Sequence, residues 1–385
     1  MLERKALVVG CGVAGPAVAV ALRWAGFEVA LREARPEPDD AAGGWMMIMP
    51  NGLSVLRTLG VEPALRAEGT ACDRIVFRDH DNRRLAEVPL PGALSVRRGA
   101  LHRVLRERAV AAGADVAFGR RLVEVEQSRH GVAGSFEDGT VDAADLLVGC
   151  DGPWSRVRAV TMTEARPARY TGIISSAGVC RPGGPALSRH TLEDLLGRRL
   201  PVRYATQDSG EVFWSCNTVL PDRPGDDWPA VADNAWRDRL LAEADGGDSP
   251  AAALIAATRA IIRQPIYEVP PLDAWHRGRI CLVGDAAHAF PPFGGQGASM
   301  ALEDAVTLAR ELRDRPGIEA AFTAYERGRR PRVARVAAVA RNNRRSLGAR
   351  STASRWLRNR MLPVGVRLSA GAARRMYSHE IDWRD

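Results

Sequence analysis

Lys5-Ala6-Leu7-Val8-Val9-Gly10-Cys11-Gly12-Val13-Ala14-Gly15 decides the fold of this chain. Lys5 to Val9 reads as a short strand, and glycines follow at 10, 12 and 15. An alanine-rich helix is predicted from about Pro16 to Ala25, closed by Gly26. Phe27-Glu28-Val29-Ala30-Leu31 reads as a second strand, with Glu33 at its end, 18 residues after Gly15. Strand, glycine turn, helix, strand and acid in this order make a dinucleotide-binding fingerprint. The glycines let backbone N–H groups approach a pyrophosphate, and the helix N-terminus adds positive potential. Glu33 can accept hydrogen bonds from ribose hydroxyls. The Glu3-Arg4-Lys5 start is not read as a signal peptide, because glycines break the apolar stretch and no clean cleavage site follows.

Two further segments lie far away. Asp145-Leu146-Leu147-Val148-Gly149-Cys150 reads as a buried strand ending at Asp151-Gly152, with Ser155, Arg156 and Arg158 opening a helix. Arg279-Ile280-Cys281-Leu282-Val283-Gly284 is a third strand, with Asp285 at its carboxyl end. Ligands in open α/β sheets bind beyond those ends. Then Ala289-Phe290-Pro291-Pro292-Phe293-Gly294-Gly295-Gln296-Gly297-Ala298 feeds a helix running through Glu303-Asp304-Ala305 to about Leu312. A glycine-rich turn at a helix N-terminus is a backbone site for negative charge. A reduced flavin carries such charge on its pyrimidine side.

In this order and spacing the three segments resemble the class A flavoprotein monooxygenases, the para-hydroxybenzoate hydroxylase family. The resemblance covers nearly the whole chain. It implies an α/β fold: a Rossmann-like FAD-binding domain of the glutathione-reductase-2 type, an inserted antiparallel-sheet substrate domain and C-terminal helices. It implies FAD as cofactor, NADH or NADPH as reductant and O2 as co-substrate. It also implies oxygen transfer through a flavin C4a-hydroperoxide, chemistry borne by the flavin, so no catalytic side chain is assigned. By the same resemblance Gly10, Gly12, Val13, Ala14 and Gly15 hold the pyrophosphate, and Glu33 holds the adenosine ribose. Arg35 lies beside them, although Ala34 stands where many relatives carry an arginine. Gly44 is counted among the cofactor-binding residues, Arg98 reaches the flavin or its phosphates, and Leu122 offers a backbone contact to adenine. Asp151 and Arg158 belong to a segment shared by FAD and NAD(P)H binding. Asp285 bonds the ribityl hydroxyls, and Pro292, Gly295, Gln296, Gly297 and Ala298 form the flavin turn. Ser299 replaces an asparagine frequent in the family.

The flavin domain is expected to be discontinuous, at 1–72, 97–165 and 270–385. The substrate sheet is expected from 73–96 and 166–269. In the first insert Arg74–Arg78 and Arg84–Val88 read as a hairpin around Asp79–Asn82. In the second, strands are expected near Gly172–Val179, Leu200–Ala205 and Glu211–Leu220, followed by helices near Val231–Ala244 and Ala251–Arg263. Candidate pocket residues are Met47, Arg203, Trp214, Pro291 and Phe293. Met46, Met47 and Met49 suit an adaptable apolar cavity, hence an aromatic or polycyclic substrate. Arg203 argues the other way, toward an acid. His288 is read as fixing the turn after Asp285 rather than as a base, and His190 as a surface residue.

The net charge of +8 is misleading as a nucleic-acid signal. Arg327 to Arg375 holds fifteen arginines and no lysine, aspartate or glutamate, so the remainder carries 8 − 15 = −7. That stretch is expected to be a helical cover on the flavin domain, anchored by Trp356, Leu357, Met361 and Leu362. Peripheral contact with anionic membrane stays open, and no nucleic acid is expected. Six cysteines show neither disulfide-scaffold nor zinc spacing, so no metal is expected. A reduced, cytoplasmic enzyme follows, monomer or homodimer, acting on a small molecule. Two other flavoprotein readings stand beside this one: an alkene reductase of isoprenoid chains, and a non-enzymatic flavoprotein that binds partners through its basic tail. A flavin halogenase is set aside, because the only lysine is Lys5 and no Trp-x-Trp occurs.

Overall fold

The computed structural model describes residues 4–40, 44–181, 188–225, 233–244, 249–345 and 351–384. The chain opens with β1 (Arg4–Val9), α1 (Ala14–Trp24) and β2 (Phe27–Arg32). Next come β3 (Trp45–Ile48), α2 (Pro50–Thr58), α3 (Glu62–Glu68), and the hairpin of β4 (Thr70–Asp79) and β5 (Arg84–Arg97). α4 (Arg98–Ala111) and β6 (Asp115–Ala117) lead into a meander of β7 (Leu122–Gln127), β8 (Val132–Phe136) and β9 (Val141–Ala144). β10 (Leu146–Gly149) and α5 (Arg156–Thr161) follow, then β11 (Arg169–Cys180), β12 (Thr191–Leu196), β13 (Val202–Thr206) and β14 (Val212–Val219). α6 (Asp233–Glu243), α7 (Pro250–Ala256), β15 (Ile262–Glu268), β16 (His276–Arg277), β17 (Ile280–Leu282) and α8 (Asp285–His288) come next. The long helices α9 (Gly297–Asp314), α10 (Ile318–Arg345) and α11 (Thr352–Tyr377) complete the fold.

The first sheet runs β16-β17-β10-β1-β2-β6, and every pairing is parallel except that of β16 at its edge. β10 and β17 are buried throughout, as parallel strands covered on both faces must be. The alanine-rich face of α1 lets α9 approach it closely, and the two helices pack along their length. All three segments singled out above leave this sheet at its carboxyl edge, on β1, β10 and β17.

The second sheet has eight strands in the order β15-β11-β14-β13-β12-β4-β5-β3. Its two faces meet different layers. Val202, Tyr204, Val212, Trp214 and Cys216 bury themselves behind it against Trp236 and Leu240 of α6 and Leu254 and Ile255 of α7. Leu192 and Ala205 point to the front, where they join Met49, Ile75, Leu90 and, at its margin, Met47 and Tyr377. Strand alternation fixes this division: a residue and its successor cannot share a face.

Two expectations change here. The predicted helix Ala251–Arg263 stops at Ala256, and Ile262–Glu268 forms an edge strand beside β11. Pro265 is tolerated there because an edge strand can lack one ladder N–H. β12 lies between β13 and β4 and has no counterpart among the predicted strands. The hairpin read at 74–88 is present, and longer than expected. All six cysteines are buried and free of disulfides.

Candidate active site

The three glycines of the first turn have different jobs. Gly10 adopts φ +103°, and a Cβ there would lie 2.5 Å from the Cys150 carbonyl oxygen. A Cβ on Gly15 would lie 1.8 Å from the Gly10 oxygen, so α1 packs this close to the strand end only as glycine. At Gly12 a Cβ would meet no protein atom within 4 Å. Gly10 and Gly15 therefore close the turn, while Gly12 keeps its outer side open to a ligand's phosphates. Val13 and Ala14 begin α1 directly above it. Glu33 accepts the Cys11 N–H at 2.6 Å and the Arg35 N–H at 3.0 Å, which holds its carboxylate against the turn.

Positive charge converges on the same place. Burial pushes the His102 imidazole down to about 4, with Arg98 and Arg35 adding to the fall. Burial also pushes the Cys11 thiol up to about 12; Glu33 adds to that rise, and Arg106 and Arg35 oppose it. Arg98 is exposed at the start of α4, and its N–H donates to the Gly44 carbonyl at 3.0 Å. A Cβ on Gly44 would touch the Phe213 ring at 3.5 Å and Ala177 at 3.6 Å, so this glycine joins the cationic turn to the front of the second sheet. Leu122 opens β7 with its side chain buried, leaving its backbone to make contacts.

The second and third segments are locked together. Arg158 is buried; it donates to the Ala286 carbonyl at 2.6 Å and to the Pro153 carbonyl at 2.6 Å. The resemblance places Arg158 at a bound nucleotide, but its guanidinium is turned inward and ties β10's turn to α8. Asp151 accepts the Val157 N–H at 3.0 Å, while its Oδ1 is buried without a partner among the described residues. Burial raises its pKa, opposed by hydrogen bonds from Ser155 and Val157. Asp285 sits differently. Its side chain is open to solvent, yet it lies in a recess surrounded by protein, and that surrounding raises its pKa against the pull of His288 and Arg98. An accessible carboxylate at a strand end facing Arg98 is placed to accept ligand hydroxyls.

Behind the recess lies a buried polar network that sequence inspection did not find. Asp304 accepts from Gly284 N–H at 3.1 Å, His288 Nε2 at 2.6 Å and Arg329 Nε at 2.7 Å. Glu303 accepts from Arg329 at 2.6 Å, from Arg332 at 2.5 and 2.6 Å, and from Asn51 at 2.7 Å. Asn51 also donates to Gln296 Oε1 at 2.9 Å. The network thus holds both the Gly284 corner and the glycine-rich turn. His288 fixes this turn, as expected, and rests against Trp275 with ring centroids 5.0 Å apart. Two adjacent acids within an otherwise buried helix were the available sequence signal.

The turn itself brings the two sheets together. Gly294 and Gly295 take φ +143° and +64°. A Cβ on Gly295 would sit 3.0 Å from Met49 Cε. Pro292 accepts backbone N–H groups from Gly294 and Gly295 at 2.9 and 3.2 Å, and Gly297 opens the 18-residue α9 just after Gln296. Ala298 continues that first turn of helix. Ser299 does not face the turn: it is buried, and a Cβ on Gly52 would lie 2.5 Å from its Oγ. The candidate pocket therefore lies between Pro291–Gly295 and the front of the second sheet. Met47 borders it, with its carbonyl 3.9 Å from where a Cβ on Gly295 would lie; Arg203 points to the same front face, paired with Asp194. Trp214 does not: it is fully buried behind the sheet, its Nε1 donating to Thr258 Oγ1 at 2.7 Å. His190 is exposed, as read.

An open glycine face and an accessible aspartate at the carboxyl edge of one sheet, with flanking arginines and a backbone turn at a helix N-terminus, suit FAD. The family described as FAD binding domain matches residues 3–340. The chain is 32% identical over 355 residues to 6-hydroxynicotinate 3-monooxygenase of Bordetella bronchiseptica, covering 87% of this chain and 90% of the relative. It belongs to the class A FAD-dependent monooxygenases. Another relative of this monooxygenase is the aurachin C monooxygenase/isomerase of Stigmatella aurantiaca, 31% identical over 83% of each chain. The solved structure of Klebsiella pneumoniae HpxO with FAD and uric acid superposes with a TM-score of 0.85 at 26% identity, covering 97% of this chain and 96% of that one. Among the described residues, no helix of the monooxygenase is long and apolar enough to cross a membrane.

Proposed function

We propose that this monooxygenase oxidises NADH or NADPH and inserts one atom of O2 into a neutral, largely apolar aromatic or polycyclic molecule, releasing the other atom as water. Bound FAD supplies the redox chemistry and the electrophilic oxygen. The chain's own residues position it. Gly12 leaves room for the pyrophosphate, Asp285 and Arg98 face the recess, and the α9 N-terminus offers backbone N–H groups to negative charge on the flavin ring. The network around Asp304 and Glu303 keeps that turn in place, and the front of the second sheet forms the floor that excludes water.

The Asp194–Arg203 pair carries the substrate reading. Arg203 is the cation on this floor that an acidic substrate would use. It is bound to Asp194 in two parallel hydrogen bonds, at 2.7 and 2.5 Å. Its charge is thereby answered within the protein, as bidentate guanidinium–carboxylate pairs do well. Around it the front face presents Ala205, Leu192, Met47 and, against Gly44, Phe213. The aurachin relative supports an aromatic or polycyclic substrate.

The test is NAD(P)H oxidation under air across neutral phenols, quinolones and polyketides beside their carboxylated analogues. Neutral compounds should be turned over to products one oxygen atom heavier. Asp194→Asn should lower KM for the carboxylated analogues, because it releases Arg203. Turnover by the parent of carboxylates alone would overturn the reading.

A further inference from the structure

We propose that α11 docks this enzyme on an anionic lipid surface. The helix was expected to turn Trp356, Leu357, Met361 and Leu362 inward as anchors. Leu362 is half-buried, and the other three turn outward. Trp356 is 68% exposed, Leu357 54%, Met361 51%, Val364 46% and Leu368 82%. At about 100° per residue, Leu357, Met361, Val364 and Leu368 fall within roughly 60° of one another along the outer side. They form one apolar stripe, some three turns long.

The opposite side of the helix is committed to the protein. Tyr377 packs at the margin of the front cluster, and Arg358 donates to the Leu196 carbonyl at 3.4 Å. Arg332 of α10 donates to the Met376 carbonyl at 3.1 Å. The outer stripe is therefore displayed on a helix held in its second turn and at its end.

Charge identifies the occupant. α11 contains six arginines and no aspartate or glutamate. Arg360, Arg367, Arg374 and Arg375 are exposed and make no ion pair among the described residues. Arg360, Arg367 and Arg374 run along one border of the stripe, and Trp356 shares that border. An apolar stripe edged by arginines and a tryptophan matches the boundary between acyl chains and anionic headgroups. A second copy of the chain is a poorer match, because a two-fold contact would set the same arginines against each other with no acid between them. An RNA would answer the charge and leave the stripe in water.

The experiment is co-sedimentation of the FAD-loaded full chain with phosphatidylglycerol/phosphatidylcholine vesicles and with pure phosphatidylcholine vesicles. Partition onto the anionic vesicles should be at least about tenfold stronger and should weaken with salt. Replacing Arg360, Arg367 and Arg374 by Gln should weaken it about 100-fold, at roughly fivefold per arginine. Met361→Glu with Leu368→Glu should abolish it at every salt concentration. These side chains are exposed, so FAD content and thermal midpoint should stay at parent values, which separates lost docking from lost folding. Equal binding of the parent to both vesicle types, or to neither, overturns the proposal. So does a concentration-dependent dimer in light scattering that the two glutamates abolish, because the stripe would then belong to a second copy.

Discussion

Asp304→Asn isolates the network that holds the flavin turn. Asp304 is fully buried, and its two oxygens accept from Gly284 N–H, His288 Nε2 and Arg329 Nε. Burial alone would raise its pKa, but His288 and Arg329 overcome burial and hold it down at about 2 against an ordinary 3.8. That gap of just under two units corresponds to about 2 kcal/mol of stability at neutral pH. Asparagine keeps the size, but it must turn an NH2 toward one of three donors, leaving a buried group unsatisfied for a further ~1–3 kcal/mol. Arg329 keeps Glu303, so its charge is not stranded. The expected loss is about 3–5 kcal/mol, a fall of about 6–10 °C at roughly 2 °C per kcal/mol. The measurement is thermal unfolding followed by flavin fluorescence on release, with circular dichroism in parallel. Flavin release should precede global unfolding by a wider margin than in the parent, because the Gly284 corner loosens first. A variant within about 1 kcal/mol of the parent, releasing flavin at the parent temperature, would refute the positioning role.

Other outcomes follow from the same geometry. Gly12→Val should leave the thermal midpoint of the flavin-free chain nearly unchanged and strip FAD, because the new side chain enters the ligand's space; Gly15→Ala should instead fail to fold, since its Cβ falls 1.8 Å from the Gly10 oxygen. Equal FAD retention by Gly12→Val would remove the pyrophosphate from this turn. Asp285→Ala should weaken FAD by roughly 1–3 kcal/mol in a fluorescence titration while the fold survives; unchanged affinity would sink its assignment. Asp304 has a depressed folded pKa, so its stabilisation is complete above about pH 4 and is lost as pH falls toward about 2. The lowered pKa of Glu303 acts in the same direction. Acid titration of the parent should therefore show a loss that Asp304→Asn lacks in part. A true substrate should speed flavin reduction by NAD(P)H at least about tenfold in stopped flow, about 1.4 kcal/mol in barrier; equal rates with and without it would favour the reductase alternative.

Local chemistry made the flavin half of the protein legible in one dimension. The positive φ of Gly10 and the collision of a Cβ on Gly15 with the Gly10 oxygen arise within a few consecutive residues, so Gly10, Gly12 and Gly15 announce a dinucleotide turn wherever they stand after a strand. The same holds for Asp285 at a strand end and for Gly294–Gly297 before a helix. Their order along the chain was enough to name a cofactor and a family.

Long-range packing decided the rest. Val212-Phe213-Trp214 is apolar without interruption because its sheet is covered on both faces, so no alternation tells which side faces the flavin. Tertiary structure sends Trp214 backward to Thr258 and Phe213 forward to Gly44. Asn51 and Glu303 stand 252 positions apart and meet at 2.7 Å, a pairing no local pattern encodes. Arg203 reads as a substrate-binding cation until the antiparallel register of β12 and β13 sets Asp194 beside it. On α11 the helical period shows that a stripe exists; only the placement of the helix, inner side on the substrate sheet, shows that the stripe looks outward. Sequence determines what each segment can do locally, and the packing of distant segments determines which of those capacities reaches the site.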